Sequence, residues 1–314
     1  MDLSALRLSH PRWLDHLESL GGLDVRLPEP TAMAGELLRL AVPHEDIGPA
    51  IAGRPQPGTP HWWLLERCVH SLVDAMGGID RPPRFPALPE AGPYFYVHVF
   101  LAAAPYTRAF HRERGISAQV SAATLADLGR NMAVHRKRHG TGGLHAPWWF
   151  QQHAVGSLYQ LGRLQFARAR LGETTGLQIR AEGGPGAPGE PSLAVHIPDF
   201  LGPMTPQACD ESFEQARSFF PRHFPQEKPQ VFTCHSWLLD DQLADHLPAG
   251  SNIISFQRRF RLLHRFDDSD MLAFVYGERA HDPELPRRTS LERIIAGHLA
   301  SGGTWHGRAG WIRV

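Results

Sequence analysis

The apolar positions in the first half of the chain recur three and four residues apart. Residues 11–20, 31–40 and 60–76 each follow this spacing, which is typical of amphipathic helices. Residues 121–138 indicate a further helix, whereas the continuous apolar run 94–101 fits a buried helix and a strand equally well. Proline-rich residues 80–93 predict an extended connector. We therefore expect a helical N-terminal domain over residues 1–150.

The hydrophobic period changes near residue 155. Residues 158–170 and 177–180 are predicted to form a strand pair, with Arg168 and Arg170 on the solvent side. Further strands are predicted over 192–197, 229–234, 252–262 and 271–276, with a short helix over 239–247. The second domain, residues 151–314, is thus predicted to be a mixed β-sheet with flanking helices. The fold class of the whole chain is α+β, with α and β elements mixed in the second domain.

One helix between two of these strands has clear boundaries and a clear apolar face. Thr205 can cap its first turn, and Pro206 occupies the first helical position, where a missing N–H does no harm. The apolar face consists of Cys209, Phe213, Ala216 and Phe220. This face is predicted to pack on the sheet.

The strand after this helix ends in a run of chemically active side chains. Cys234 and Ser236 face one side of a regular strand and His235 faces the other, so Cys234 and His235 cannot form a neighbouring nucleophile and base. His235 titrates near neutral pH and is a candidate proton acceptor, and the Ser236 hydroxyl is a candidate hydrogen-bond donor. A hydrogen-bonded structural histidine is the alternative role for His235.

Three more side chains near the strand ends are candidates. His196 lies just before Pro198 turns the chain, and it lines the same opening as His235 if the two strands separate there. Packing against the helix is the alternative. Trp237 and Asp240 follow the second strand, where Asp240 either caps the short helix or binds an amine.

The order of these elements resembles the C-terminal half of the acyl-CoA-dependent N-acetyltransferase (GNAT) superfamily. More narrowly, the sequence resembles bacterial proteins that join a helical N-acyltransferase N-terminal domain to a GNAT-like C-terminal domain. The segments that carry this resemblance are residues 159–166, 196–198, 212–220, 232–240 and 251–260.

The resemblance implies transfer of an acyl group from acyl-CoA to an amine or hydroxyl of a small molecule, by direct attack. It places His235, His196, Ser236 and Cys234 at the reacting centre and Trp237 and Asp240 at the acceptor. The residues expected to hold the CoA or phosphopantetheine arm are Ile197, Phe200, Leu201, Gly202, Met204 and Thr205.

The loop expected to hold the CoA phosphates departs from the superfamily pattern. Residues 199–206 contain one glycine, two prolines that cannot donate, and an aspartate, so few N–H groups face a phosphate. The following helix N-terminus still offers donors. A thioester of an acyl carrier protein is therefore an alternative donor. Two other functions stay open: a non-catalytic small-molecule-binding protein, and a hydrolase that attacks the thioester with water.

Composition narrows the class of protein. The chain has 314 residues, with 32 basic and 32 acidic side chains, so no net charge attracts nucleic acid or an anionic membrane. Three scattered cysteines argue against a disulfide framework, and no apolar segment has the length of a signal peptide core or a membrane span. We expect a cytoplasmic protein with a small-molecule acceptor and no metal.

Overall fold

A computed structural model describes residues 3–80, 82–268 and 270–314. The chain folds as two compact units, one comprising Met1–Arg136 and Thr141–Tyr159, and the other Lys137–Gly140 and Gln160–Val314. The division into domains at residues 150 and 151 stays a prediction. The fold class is α+β as predicted.

The first unit is helical. Its elements are α1 (Leu3–Ser9), α2 (Pro11–Ser19), α3 (Pro30–Arg39), α4 (His44–Ala52), α5 (Pro60–Asp74), α6 (Phe95–Glu113), α7 (Ala118–Leu125), α8 (Asp127–His139) and α9 (Pro147–Ala154). The last three residues of α8 belong to the second unit. The helices predicted over 11–20, 31–40 and 60–76 are confirmed. The one predicted over 121–138 is two helices, and the ambiguous run 94–101 belongs to α6.

The core of this unit is built around α6, whose residues 95–104 are all buried. A helix that is apolar on every side must be surrounded by other elements, which explains why its sequence shows no helical period. The connector 80–93 contributes Phe85 and Leu88 to the same core, and the backbone N–H of Phe85 donates to the Gln151 side chain at 2.8 Å. The described part of the connector therefore packs on the core and includes a short 3₁₀ turn over Pro89–Ala91, so the prediction of a wholly extended segment is wrong. Residue 81 lies outside the described residues.

Two buried histidines make the stability of this unit depend on pH. Burial lowers the pKa of His111 and of His153 to about 4. Because the folded pKa lies below the unfolded value, the unfolded chain binds protons first as the pH falls. The stabilisation is present above about pH 6.5 and is lost as the pH falls towards 4, by roughly 3 kcal/mol for each histidine.

We expect the free energy of unfolding to fall between pH 7.5 and 5, and to fall less in His111→Gln, which cannot ionise. Urea unfolding at several pH values measures this slope. The exposed His44, replaced in the same way, is the matched control. Equal slopes in His111→Gln and in the unmodified protein would show that the pKa of His111 is the same in the folded and unfolded chains.

The second unit contains the sheet. Its strands are β1 (Leu158–Leu161), β2 (Leu164–Arg170), β3 (Pro191–His196), β4 (Val231–Ser236), β5 (Arg261–Phe266) and β6 (Gly307–Arg313), in the order β1-β2-β3-β4-β6-β5. The first two residues of β1 belong to the first unit. Its helices are α10 (Glu173–Ala181), α11 (Pro206–His223), α12 (Leu243–His246), α13 (Asn252–Gln257), α14 (Asp270–Tyr276) and α15 (Ser290–Ala300). β3 and β4 are parallel, and β4, β6 and β5 are successively antiparallel.

Helices α10 and α11 cover opposite faces of this sheet. Phe213 of α11 contacts Phe166 and Phe232, with ring centroids 5.6 and 5.1 Å away. Ile179 of α10 instead packs with Val231 and its neighbours on the other face. The apolar face predicted for α11 is confirmed, because Cys209, Phe213, Ala216 and Phe220 are all buried.

Four details predicted for the second unit are wrong. Residues 177–180 belong to helix α10 and residues 271–276 to helix α14, whereas residues 252–262 are divided between helix α13 and the start of β5. Short apolar runs do not separate helix from strand by period, and the Ser251 side chain that caps α13 is the signal that was missed. Arg168 is buried rather than on the solvent side.

Candidate active site

The two candidate histidines lie where the parallel strands end. The ladder between β3 and β4 runs from Leu193 and Phe232 to Val195 and Cys234. His196 and His235 are the next residue of each strand, so alternation places both side chains on the same face, away from Val195 and Cys234. Beyond them β3 enters a loop and β4 ends at Ser236. The structure thus places the two histidines at the same end of two neighbouring strands. That both line one opening stays a prediction.

The exposed His235 ring is contacted by helix α10 and strand β5. Its Nε2 lies 3.1 Å from the Oγ1 of Thr175, and its ring centroid lies 6.1 Å from those of His264 and Phe266. Loss of hydration beside these residues lowers the pKa of His235, and the nearby His264 lowers it further. His235 is therefore a neutral imidazole at physiological pH.

The hydrogen bonds of His264 fix its tautomer. The Oε1 of Gln178 accepts from the backbone N–H of His264 at 3.1 Å and from its Nδ1 at 2.8 Å. Since a backbone N–H only donates, the Gln178 atom must be the oxygen, and Nδ1 of His264 must carry a proton. His264 lies within an irregular stretch of β5, where the register with β6 shifts between Leu262 and Arg265. The irregularity explains why Leu263 and His264 both reach α10, although neighbours in a regular strand face opposite sides.

The sequence alone does not indicate Thr175, Gln178 or His264 as site residues. The first two belong to the helix that was predicted as a strand, and His264 lies beyond the end of the strand predicted over 252–262. The available signal was Gly172 followed by Glu173, because glycine is tolerated at a helix N-cap and an acidic residue suits the first turn.

Ser236 and Cys234 differ in what they can do. The Oγ of Ser236 accepts from the backbone N–H of Leu238 at 3.1 Å, which leaves its own proton available for another acceptor. Cys234 is buried, and burial raises its pKa to about 12, so the sulfur stays protonated near neutral pH. Catalytic roles for both stay predictions, and this chemistry favours Ser236.

Asp240 and Trp237, the two residues predicted to bind the acceptor, make contacts within the second unit. The buried Asp240 carboxylate accepts from the backbone N–H groups of Gln242, at 3.1 Å, and His306, at 2.7 Å. Trp237 packs beside Met271 and other apolar side chains of the second unit. The carboxylate closes the turn before α12 but does not cap that helix, whose N-cap is Gln242 and has no side-chain cap. Acceptor binding by Asp240 or Trp237 stays a prediction.

The loop between β3 and α11 is held by two cations. Arg163, in the turn between β1 and β2, donates from Nε to the carbonyl of Gly202 and from Nη1 to that of Pro198, both at 3.0 Å. Lys137 pairs with Asp199 at 3.1 Å and donates to the carbonyl of Phe274 at 2.6 Å. Lys137 therefore neutralises the Asp199 carboxylate, which would otherwise repel a phosphate group in this loop.

The same loop leads into the N-terminus of α11. The Oγ1 of Thr205 accepts from the backbone N–H of Ala208 at 3.2 Å, which confirms Thr205 as the N-cap, and Met204 is buried. Phe200 and Gly202 have positive φ values of 59° and 72°. The eighteen-residue helix presents its positive end here. The N-terminus of α11 thus offers backbone N–H groups of the kind that bind phosphate, and Arg163 occupies the carbonyl groups of Pro198 and Gly202 in the loop before it.

Comparison with known proteins agrees with this geometry. A family model for an N-acyltransferase N-terminal domain matches residues 32–156, and one for a GNAT-like C-terminal domain matches residues 158–312. A solved acyltransferase in complex with decanoyl-CoA is 37% identical, with 100% of both chains covered and a TM-score of 0.88. A search among curated proteins finds no match.

Two related crystal structures contain further molecules. One, an acyltransferase in complex with decanoyl-CoA and teicoplanin, is 38% identical, with a TM-score of 0.86. The other, with CoA and 10C-teicoplanin, is 37% identical, with a TM-score of 0.87. Each comparison covers 100% of this chain and 99% of the other.

The fold, the site and these comparisons define an acyltransferase. The chain belongs to the family that joins an N-acyltransferase N-terminal domain to a GNAT-like C-terminal domain. The predicted resemblance and enzyme class are confirmed, and the acyl-CoA and CoA in the related structures agree with the predicted co-substrate. Among residues 3–80, 82–268 and 270–314, no helix is long and apolar enough to span a bilayer.

Proposed function

We propose that this protein transfers a medium-chain acyl group from acyl-CoA to an amine of a glycopeptide of the teicoplanin class. One pair of related structures carries the proposal. Decanoyl-CoA with teicoplanin in one complex, and CoA with 10C-teicoplanin in the other, correspond to the reactants and products of such a transfer. The identity of 37–38% extends over the whole of this chain.

The arrangement of side chains supports direct attack. A neutral amine nitrogen attacks the thioester carbonyl carbon, and the carbonyl electron pair moves to oxygen. A histidine at the strand ends, His196 or His235, takes the proton that the new N–C bond makes acidic. Collapse of the intermediate breaks the C–S bond, and the proton passes to the departing CoA sulfur. The Ser236 hydroxyl is available to donate to the oxyanion or to the thiol.

The proposal is tested by following thiol release from decanoyl-CoA with and without a teicoplanin-type amine. We expect release that depends on the acceptor and saturates with it. Release at the same rate in water alone would indicate a hydrolase, and absence of release with every acyl-CoA of six to sixteen carbons would contradict the proposal.

CoA rather than a carrier protein is proposed as the donor, because the related structures contain decanoyl-CoA or CoA, and because Lys137 neutralises the aspartate of the loop before α11. This predicts that acyl-CoA is a better donor than the acyl-pantetheine that lacks the nucleotide. An equal kcat/KM for the two thioesters would instead indicate that the phosphates make no contact. The reaction is proposed to occur in a bacterial cytoplasm, in keeping with three free cysteines.

Replacement of Arg163 by methionine is expected to raise the KM for acyl-CoA about tenfold, with a smaller change in kcat. The variant keeps the apolar stem of the side chain but loses both hydrogen bonds to the loop, each contributing about 0.5–1.5 kcal/mol. Steady-state kinetics with varied acyl-CoA measures the effect, and Arg222→Met, on an exposed position of α11, is the control. Unchanged KM in Arg163→Met would mean that the loop needs no such support.

A further inference from the structure

The roles of the two histidines at the strand ends can be separated by the hydrogen bonds around His235. Thr175 is 4% exposed, and the contact of its hydroxyl with Nε2 of His235 is 3.1 Å long. Within the described part of the chain, the structure records no other acceptor for this hydroxyl. A buried hydroxyl that donates to nothing is costly, so the Thr175 proton must point to Nε2.

This direction determines where the proton of neutral His235 resides. If Nε2 accepts from Thr175, the ring proton is on Nδ1. The described residues provide no partner for Nδ1, and the residue is exposed. His235 therefore presents an N–H to its open side, and its lone pair is used by Thr175.

We propose that neutral His235 donates a hydrogen bond from Nδ1 to the thioester carbonyl oxygen, that Thr175 is the residue that fixes this tautomer, and that His196 takes the amine proton. The proposal rests on the proposed function and assigns roles within it. As the amine attacks, negative charge develops on the carbonyl oxygen, and a donor fixed in advance stabilises it without reorganisation. The proton balance is unchanged: His196 accepts the amine proton and returns it to the CoA sulfur.

The surroundings of His235 keep it a donor. Loss of hydration lowers the pKa of His235, and so does the neighbouring His264 of β5, whose Nδ1 donates to Gln178. A neutral imidazole that donates is also a weaker acid than an imidazolium, so it does not protonate the attacking amine. At one pH, His235 can then donate a hydrogen bond while His196 accepts a proton.

Side chains that keep either the donor or the base distinguish the two roles. The amide nitrogen of asparagine can occupy the position of histidine Nδ1 and donate, but it cannot accept a proton from an amine. We expect His235→Asn to retain kcat within about tenfold of the unmodified enzyme, and His235→Ala to lose about 10²–10³-fold, the loss seen when an oxyanion donor is removed. Equal losses in the two variants would overturn the assignment.

The tautomer is read directly from long-range ¹H–¹⁵N correlation spectra of the free enzyme, in which His235 is assigned by its absence from His235→Asn. We expect a protonated Nδ1 and a bare Nε2 at pH 7.5. Thr175→Val should lose this preference and lower kcat severalfold with little change in KM, and Thr175→Ser should restore both. A protonated Nε2 in the unmodified enzyme would overturn the inference. Since these spectra need no turnover, that result is distinct from an absence of acyl transfer, which would contradict the proposed function.

Discussion

Replacement of His196 by alanine is expected to lower kcat by about 10²–10⁴-fold, the usual contribution of a positioned proton acceptor. The amine proton must leave as the N–C bond forms. Because His235 acts as a hydrogen-bond donor, His196 is the strand-end histidine that accepts this proton. KM for acyl-CoA should change little, because the loop contacts of Arg163 remain. Presteady-state thiol release measures the chemical step.

Two comparisons make this prediction specific. His196→Gln can donate but cannot take a proton, so it should be as slow as His196→Ala, in contrast to the retained activity expected of His235→Asn. His44→Ala, at an exposed position of α4, should match the unmodified enzyme. A His196→Ala variant with kcat within threefold of the unmodified enzyme would mean that the proton passes to water or to another group.

Replacement of Arg168 by alanine is expected to lower the free energy of unfolding by about 3–5 kcal/mol, the usual cost of breaking a buried ion pair. Arg168 lies in β2, and its Nε is 3.0 Å from both carboxylate oxygens of Glu227. Its guanidinium also lies 4.0 Å from the centroid of the Phe224 ring. The alanine variant leaves the largely buried Glu227 carboxylate without this partner.

The charge and the packing of Arg168 can be separated. Arg168→Met keeps the apolar contact with Phe224, and the double variant with Glu227→Gln also removes the stranded carboxylate. We expect the double variant to recover most of the stability lost in Arg168→Met, because the carboxylate and not the missing contact is the main cost. Urea unfolding monitored by tryptophan fluorescence provides the comparison. If Arg168→Ala has the same urea midpoint as the unmodified protein, the pair contributes nothing.

How much of this fold could be predicted depends on how far each element shows a period. Helix α11 was predicted with its cap because Thr205, Pro206 and four apolar residues agree on one boundary and one face. Helices α10, α13 and α14 are short, and their apolar residues satisfy a strand as well as a helix. Strand β6 was missed altogether, since Gly307 and Gly310 weaken the local strand preference and its position beside β4 comes from the sheet.

The candidate site divides in the same way. His196 and His235 could be predicted because the order of elements resembles the family and places both residues at strand ends. The strand register places these two ends side by side. Thr175 and His264 approach His235 from elements distant in sequence, so no local pattern indicates them. Arg168 shows the same limit, because strand alternation predicts a face but cannot show that Glu227 covers it.

The most direct test of the central claim is mass spectrometry of a teicoplanin-type amine after incubation with decanoyl-CoA and the purified protein. Acyl transfer predicts an acceptor heavier by one decanoyl group, attached to nitrogen, with one CoA thiol released for each acceptor modified. Free decanoate beside an unmodified acceptor, or intact decanoyl-CoA after prolonged incubation, would contradict it.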